Sequence, residues 1–451
     1  MKTIGKMMVA VALAAASSFA GDVDSALARV RGVNLGKGYF TTVEYHPAAE
    51  IGTDWRPHPA AGMTEVAWVL KPVPDSFIRC IVFLPPDGKW DGRMLGVGSG
   101  GPAGTIPREG LAKLARERGC AVAYTDLGTA DREMHRPGRV EDFGNRATHL
   151  MTVSAKEVIR AFYGRGPHRS YFQGESTGGN QAFQELLRYP GDYDGIIAGV
   201  PAFDRMGVHV YFQWNWRQLH DDGGKSVFAP SELAAVTNAA AAYFREKGLK
   251  GVERRYTGEA CGTIVDAAVR FAPSLDTADK KSRLKRMFTG PVVNGRNVFP
   301  GVPLGAPLPD SGGNWWLLKW RLGEDRRLQT VTDDELEAWM KDWGPACDAV
   351  STDMSAFAGH GGKLIAYAGE LDACIPWEPL IDWHLKANCP ESRAVYLLPE
   401  RTHGGPPEIT GMYRMLVDWV ENGVRPGRVD VAMPDKTVRK LDPVPAVRPT
   451  E

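Results

Sequence analysis

The sequence predicts an α/β protein: a mostly parallel sheet flanked by helices, with a second, aromatic-rich domain inserted into it. Three observations predict this class. From about residue 77, short apolar runs alternate with longer amphipathic ones, the pattern of strands covered on both faces by helices. The alternation breaks near residue 204 and resumes near 361. Before the break, Gly174-Glu-Ser-Thr-Gly178 joins a strand-like run to a helix-like one, the setting in which a G-x-S-x-G string carries meaning.

Taken in order, the chain opens with Lys2 and Lys6, an unbroken apolar run from Met7 to Ala16, and a small-x-small pattern at Ser18-Phe19-Ala20. That is a signal peptide over 1–20, and it predicts an exported protein, secreted or periplasmic. No later stretch reaches the ~18 apolar residues a spanning helix requires, so no membrane anchor is expected. Residues 21–203 and 361–435 then form the main α/β domain. Its strands are expected at Phe77–Leu84, Arg93–Val97, Cys120–Thr125, Ser170–Gln173, Gly195–Val200, Leu364–Ala368 and Ala394–Leu398. Its helices are expected at Pro107–Arg118, Arg146–Tyr163, Gly178–Tyr189, Trp377–Lys386 and Glu408–Asn422. Pro107 suits a first helical turn and Gly119 a C-cap.

The inserted stretch, 204–360, holds Tyr211-Phe-Gln-Trp-Asn-Trp216 and Trp315-Trp316, with helices expected at Ser231–Lys247 and Asp333–Trp343. An aromatic-rich insertion of this kind reads as a lid over a site, most of its tryptophans forming its own core. Residues 436–451, with several prolines and mixed charges, read as a loosely packed tail.

Fifty-four Lys and Arg balance 54 Asp and Glu. A net charge of zero excludes a general attraction to nucleic acid or to an anionic membrane as the main activity. Export leaves the six cysteines free to oxidise, and the sequence favours no pairing among them. Cys80 and Cys120 lie in apolar strand-like runs, equally consistent with buried thiols and with a bridge.

The chemistry centres on Ser176. A sharp strand-to-helix turn would lift its hydroxyl above the sheet, and the helix behind it would offer N–H groups to a developing oxyanion. A serine needs a base, and in this strand order the acid and then the histidine follow it in the chain. His403 sits in a Gly/Pro-rich loop directly after the last strand, whereas His384 lies mid-helix and reads as a packing residue. The run Leu364-Ile-Ala-Tyr-Ala-Gly-Glu-Leu-Asp372, at the end of the strand before the last, supplies Glu370 and Asp372. Asp372 lies further past the strand end and is the better placed to face His403, although a helix N-cap would also use it. Gly96-Val-Gly-Ser-Gly-Gly-Pro-Ala-Gly104 follows an early strand, and Gly101 is expected to pair its N–H with that of Thr177 at the oxyanion. The spacing there is not a dinucleotide fingerprint.

The segments Leu84-Pro-Pro-Asp-Gly-Lys-Trp-Asp-Gly-Arg93, Tyr171-Phe-Gln-Gly-Glu-Ser-Thr-Gly-Gly179, Arg188-Tyr-Pro-Gly-Asp-Tyr-Asp-Gly-Ile-Ile197 and Gly361 through Asp372 come in the order of the tannase and feruloyl esterase family. The chain resembles that family over most of its length after the leader. The resemblance implies an α/β-hydrolase with a lid, cleaving esters of aromatic acids such as gallate or hydroxycinnamates. It places nucleophile, acid and base on Ser176, Asp372 and His403, and implies a small-molecule or plant-polymer ester as partner; the triad chemistry itself requires no metal or organic cofactor.

The family usually carries Cys immediately before the serine and immediately after the histidine, joined as a disulfide. Glu175 and Gly404 stand there in this chain. The two backbones must therefore pass close together, and Glu175 is expected to reach the Thr402–Gly405 loop. It would pair either with the N–H groups of Gly404 and Gly405 or with Arg401. The family's calcium loop is also altered, since Tyr243–Val252 carries basic residues such as Lys247 and Lys250 where acids are expected, with Arg254 and Arg255 close behind, so no metal is expected in the lid. Two alternatives remain open: an esterase for non-aromatic acyl groups such as acetyl on polysaccharide, and a catalytically silent ligand-binding relative.

Overall fold

The structure, a computed structural model, describes residues 22–48, 58–131, 136–308, 316–323, 325–405 and 408–446. The expected leader and residues 447–451 of the expected tail lie outside the described residues. The chain divides into two compact units. One comprises residues up to 97 with 104–131 and 146–171, and the other comprises 98–103, 132–145 and everything from 172 onward.

The first unit carries β1 (Gly38–His46), β2 (Met63–Leu70), β3 (Ile78–Leu84), β4 (Arg93–Val97) and β5 (Ala121–Thr125), in the spatial order β1-β2-β3-β5-β4. The β1, β2, β3 and β5 neighbours pair antiparallel, whereas β4 and β5 are parallel. The sequence reading starts its strands at residue 77 and passes over β1 and β2. Every residue of β2 is buried, but Thr64 and Glu65 interrupt its apolar run. Glu65 is tolerated inside because its carboxylate accepts from the Arg108 guanidinium. Helix α1 (Arg108–Arg118) ends at Gly119, whose φ of +67° a side chain would disfavour. Helix α2 (Ala147–Tyr163) anchors its last turn through Tyr163, which stacks on Trp90 at 3.9 Å and donates to the Pro85 carbonyl at 2.5 Å.

The second unit takes the end of β6 (Arg169–Glu175) and adds β7 (Gly195–Gly199), β8 (Lys363–Gly369) and β9 (Arg393–Leu398), in the order β6-β7-β8-β9. The β7–β8 and β8–β9 pairs are parallel, and both outer-facing and inner-facing residues of β7 and β9 are buried, as a covered parallel sheet requires. Helices α3 (Thr177–Arg188), α4 (Arg205–Leu219), α5 (Pro230–Lys247), α6 (Gly258–Phe271), α7 (Ala278–Thr289), α8 (Trp316–Leu322), α9 (Asp333–Cys347), α10 (Glu378–Lys386) and α11 (Met412–Asn422) follow in chain order. Helices α4 to α7 share a core in which Phe212, Phe244, Ile264, Leu284 and Phe288 are buried. Trp320, Trp339 and Trp343 are buried as well. His384, on α10, is a packing residue: its ring sits between the Arg393 guanidinium and the Val444 carbonyl, and burial lowers its pKa to about 4.

The C-terminal stretch differs from the expected loose tail. Val429–Ala432 and Val438–Leu441 pair antiparallel, and Glu408–Ile409 adds a third strand. Val429, Val431 and Met433 are buried, a two-residue alternation that the neighbouring prolines and charges obscure in the sequence. The Val444 N–H extends the docking by donating to the Val395 carbonyl at 2.8 Å. Helix α11 accordingly starts at Met412, not at Glu408. None of the six cysteines is joined in a disulfide among the described residues, and burial raises the pKa of the Cys80 thiol.

Substituting Asp for Val431 buries a charge with no partner, and it is expected to lower unfolding stability by about 2–4 kcal/mol, read as a shift in the urea midpoint. An unshifted midpoint would show that the C-terminal strands contribute no packing.

Candidate active site

The Gly174–Gly178 turn is built by steric exclusion. A Cβ on Gly174 would lie 2.5 Å from the Gly178 carbonyl oxygen, and one on Gly98 would lie 2.6 Å from the Gly178 Cα. Three chain segments thus meet closer than side chains permit, and the glycines at these positions are a packing requirement. Between them Ser176 holds φ +58° and ψ −113°, a conformation that L-residues rarely adopt. Its backbone is held from both sides: its N–H donates to the Gly199 carbonyl at 3.0 Å and its carbonyl accepts from Ala202 N–H at 3.2 Å. Helix α3 begins at the next residue, so its first N–H groups face the space beside the serine.

The carboxylate and the imidazole come together on the loops after β8 and β9. Asp372 is fully buried and its carboxylate is fully engaged. One oxygen accepts from the N–H groups of Cys374 at 2.8 Å and Ile375 at 2.9 Å, and the other lies 2.9 Å from His403 Nδ1. The cap-like use of Asp372 and its pairing with His403 therefore coexist. The alternative acid, Glu370, is engaged elsewhere: it accepts from Gly251 N–H at 2.7 Å, Glu400 N–H at 3.2 Å and the Arg254 guanidinium at 3.2 Å. The His403 side chain keeps 32% of its surface accessible, so a substrate can reach it. Burial disfavours its charged form, but the hydrogen bonds to Asp372 and Cys374, and the charge on those groups, outweigh that and push its pKa up to about 10. The structure forms the His403–Asp372 bond; it does not form a hydrogen bond between the Ser176 hydroxyl and His403.

Thr177 and Gly101 also meet, through a contact the sequence does not announce. The Thr177 hydroxyl donates to the Gly101 carbonyl at 2.6 Å, tying the glycine loop to the elbow. Among the described residues the backbone N–H groups of Thr177 and Gly101 have no acceptor, and Gly101 holds φ +51°. They are available to a ligand oxygen. Arg205, the first residue of α4, donates from Nη1 to the Thr177 hydroxyl at 3.3 Å and is itself 2% exposed. The sequence reading passes over Arg205. Its one signal was a charged pair, Asp204-Arg205, interrupting an otherwise apolar stretch.

Glu175 reaches toward the His403 loop, with partners partly different from those expected. Its carboxylate accepts from the Tyr367 hydroxyl and, at 3.2 Å, from Arg401 Nη2. Arg401 is buried, and its Nη1 donates to the Gly405 carbonyl at 2.6 Å. The tie from Glu175 to the loop thus runs through the Arg401 guanidinium; the N–H groups of Gly404 and Gly405 are not the partners. Tyr367 was missed as a partner because it lies mid-strand in β8, where an apolar aromatic reads as core. No three His, Cys, Asp or Glu residues converge as a metal ligand set among the described residues.

A family model described as tannase and feruloyl esterase matches residues 65–246 and 324–445, more than half of the chain. An uncharacterised esterase of Xanthomonas campestris pv. campestris is 28% identical over 358 residues, which covers 69% of this chain and 60% of that relative's length. A probable feruloyl esterase B-2 of Neosartorya fischeri is 23% identical, covering 81% of this chain and 78% of the relative. The fold matches the crystal structure of feruloyl esterase B from Aspergillus oryzae with a TM-score of 0.78 at 22% identity, covering 93% of this chain and 96% of that one. It also matches the tannin acyl hydrolase from Aspergillus niger with a TM-score of 0.70 at 19% identity, covering 93% and 92%. The architecture is that of an α/β-hydrolase.

Replacing Glu175 by Ala leaves the buried Arg401 short of its anionic partner. Because Glu175 is half exposed, the expected loss is about 1–2 kcal/mol in urea unfolding, below that of a fully buried pair. Glu175→Gln keeps an oxygen that accepts from Tyr367 and Arg401, and a loss of at most a few tenths of a kcal/mol is expected. Equal losses in the two variants would contradict the network.

Proposed function

Since the chain belongs to the tannase and feruloyl esterase family, we propose that it is an exported serine carboxylic-ester hydrolase acting on esters of gallate- or hydroxycinnamate-like aromatic acids. The observation that carries this reading is the strained Ser176 on its strand-to-helix turn, in the same unit as a His403 whose ring is oriented by a buried Asp372. Export rests on the sequence of residues 1–20.

Ser176 Oγ attacks the ester carbonyl carbon as His403 Nε2 takes its proton. Asp372, bonded to Nδ1, fixes the tautomer that leaves Nε2 free to accept, and supports the charge the ring acquires. The oxygen of the tetrahedral intermediate takes the N–H groups of Thr177 and Gly101, which are preorganised for it. His403 returns the proton to the departing alcohol, leaving an acyl group on Ser176. Water then attacks that acyl-enzyme with His403 again as base, releasing the acid and restoring the hydroxyl. The Ser176–His403 contact is one that substrate tightens. Residues 204–360 serve as the lid, and Phe143, Trp316 and Trp320, packed edge to face at 5.8 and 5.9 Å, form an aromatic cluster beside Arg205.

Methyl gallate, methyl ferulate and p-nitrophenyl acetate separate the readings. Turnover of an aromatic methyl ester is expected, with Ser176→Ala lowering it by roughly 10⁴-fold or more while the protein stays folded. Hydrolysis confined to the acetate, or unchanged in Ser176→Ala, would overturn the proposal.

The base works only when neutral, and the raised pKa of His403 means that kcat/KM climbs with pH through a limb lying above 6.5. Asp372→Asn removes the carboxylate that favours the charged ring. The limb then moves toward lower pH while kcat falls by about 10³–10⁴-fold. A wild-type limb at or below 6.5, or one unmoved in Asp372→Asn, would contradict this assignment.

A further inference from the structure

We propose that Arg205 selects esters that carry a free carboxylate, gripping it on the two adjacent N–H groups of its guanidinium edge. The inference rests on the esterase reading above and names the substrate class for the same site. Arg205 is 2% exposed, with its head against Thr177, the residue after the nucleophile, at 3.3 Å, and its guanidinium over the Phe143 ring at 5.5 Å. Its Nε and Nη2 are buried without a hydrogen-bond partner. Those two atoms form one edge of the guanidinium and donate side by side, at the spacing of the two oxygens of a carboxylate. The same edge of Arg428 grips Asp442 in this chain, with both contacts at 2.8 Å.

The neighbouring acids leave that edge vacant. Asp204 accepts from Gly207 N–H at 3.0 Å and Asp348 from Met206 N–H at 2.9 Å, and neither hydrogen-bonds the guanidinium. Asp348 offers charge nearby but no hydrogen bond, and a buried guanidinium edge with no acceptor is costly to keep, which favours an acceptor supplied by a bound ligand. The surroundings say what that partner is attached to. Phe143 lies under the guanidinium and stands edge-on to Trp316 and Trp320, so the carboxylate comes on a molecule that also presents a flat apolar ring. The carboxylate can reside on the acyl ring or on the alcohol, and the test distinguishes the two.

Monomethyl isophthalate carries the carboxylate on the acyl side, and feruloyl glycolate carries it on the alcohol side. Dimethyl isophthalate and methyl feruloyl glycolate are their capped, neutral counterparts. In at least one pair the wild type is expected to favour the charged ester by tenfold or more in kcat/KM, expressed mainly in KM. Arg205→Met should bring that ratio to within about twofold of unity, and Arg205→Lys, a point charge without the fork, should leave it intermediate. Circular dichroism should show Arg205→Met folded, since methionine refills most of the buried volume. Calorimetric binding of monomethyl isophthalate and of feruloyl glycolate to Ser176→Ala, against Ser176→Ala/Arg205→Met, reads the same site without turnover, and the tighter of the two should weaken at least tenfold. No preference in either pair together with no Arg205-dependent binding would overturn the inference while leaving the esterase reading intact. A loss in Arg205→Met that is equal for charged and capped esters would also overturn it, showing that Arg205 acts only by holding Thr177. Arg205-dependent binding without hydrolysis of any ester would sink the esterase reading and keep the carboxylate site.

Discussion

Ser176 is held in a backbone conformation that costs on the order of 1–3 kcal/mol, and the surrounding structure is arranged to hold it there. The backbone bonds of Ser176 to Gly199, the last residue of β7, and to Ala202 just beyond it fix the turn to the neighbouring strand. The approach of residues 98, 174 and 178 admits no side chain, which fixes the turn to the glycine loop. The Thr177 hydroxyl then ties that loop back to the first turn of α3. A rigid turn of this kind keeps the hydroxyl and the neighbouring N–H groups in place without reorganisation, the condition under which hydrogen-bond donors act most strongly on developing charge.

The acid–base side is fixed with comparable redundancy. Asp372 spends one oxygen on two backbone N–H groups and the other on His403, so its orientation does not depend on the histidine alone. The loop that carries His403 is anchored at two further points. Glu370 accepts from Glu400 at its start, and Arg401 bridges from Glu175, the residue before Ser176, to Gly405 beyond the histidine. Glu175 and Gly404 stand where the family resemblance leads one to expect a cysteine pair. A buried guanidinium with hydrogen bonds at both ends joins the same two segments without a covalent bond.

The sheet, the elbow and the Asp372–His403 pair were legible in the sequence because each is written in local text. β3 to β9 are short apolar runs bounded by turn residues, and Ser176 and His403 lie immediately after strands. β2 was not legible, because Glu65 sits inside a fully buried strand and is made tolerable there by the distant Arg108. The C-terminal strands were hidden by the prolines and charges around Val429 and Val431. Arg205 and Tyr367 were beyond sequence reasoning for a different reason: Arg205 meets Thr177 across 28 residues and Tyr367 meets Glu175 across 192, so the meaning of each lies in a partner that no local pattern specifies. The identity of Arg401 as one possible partner of Glu175 could be reasoned, but not the part played by Tyr367.

The most direct test of the account is covalent. Intact and peptide mass spectrometry after treatment with a serine-directed alkyl phosphonate should find a single adduct, on Ser176, formed at a rate that falls steeply in His403→Ala. An adduct on another residue, or labelling of Ser176 that proceeds equally fast without His403, would contradict the claim that this turn and this histidine form one catalytic unit.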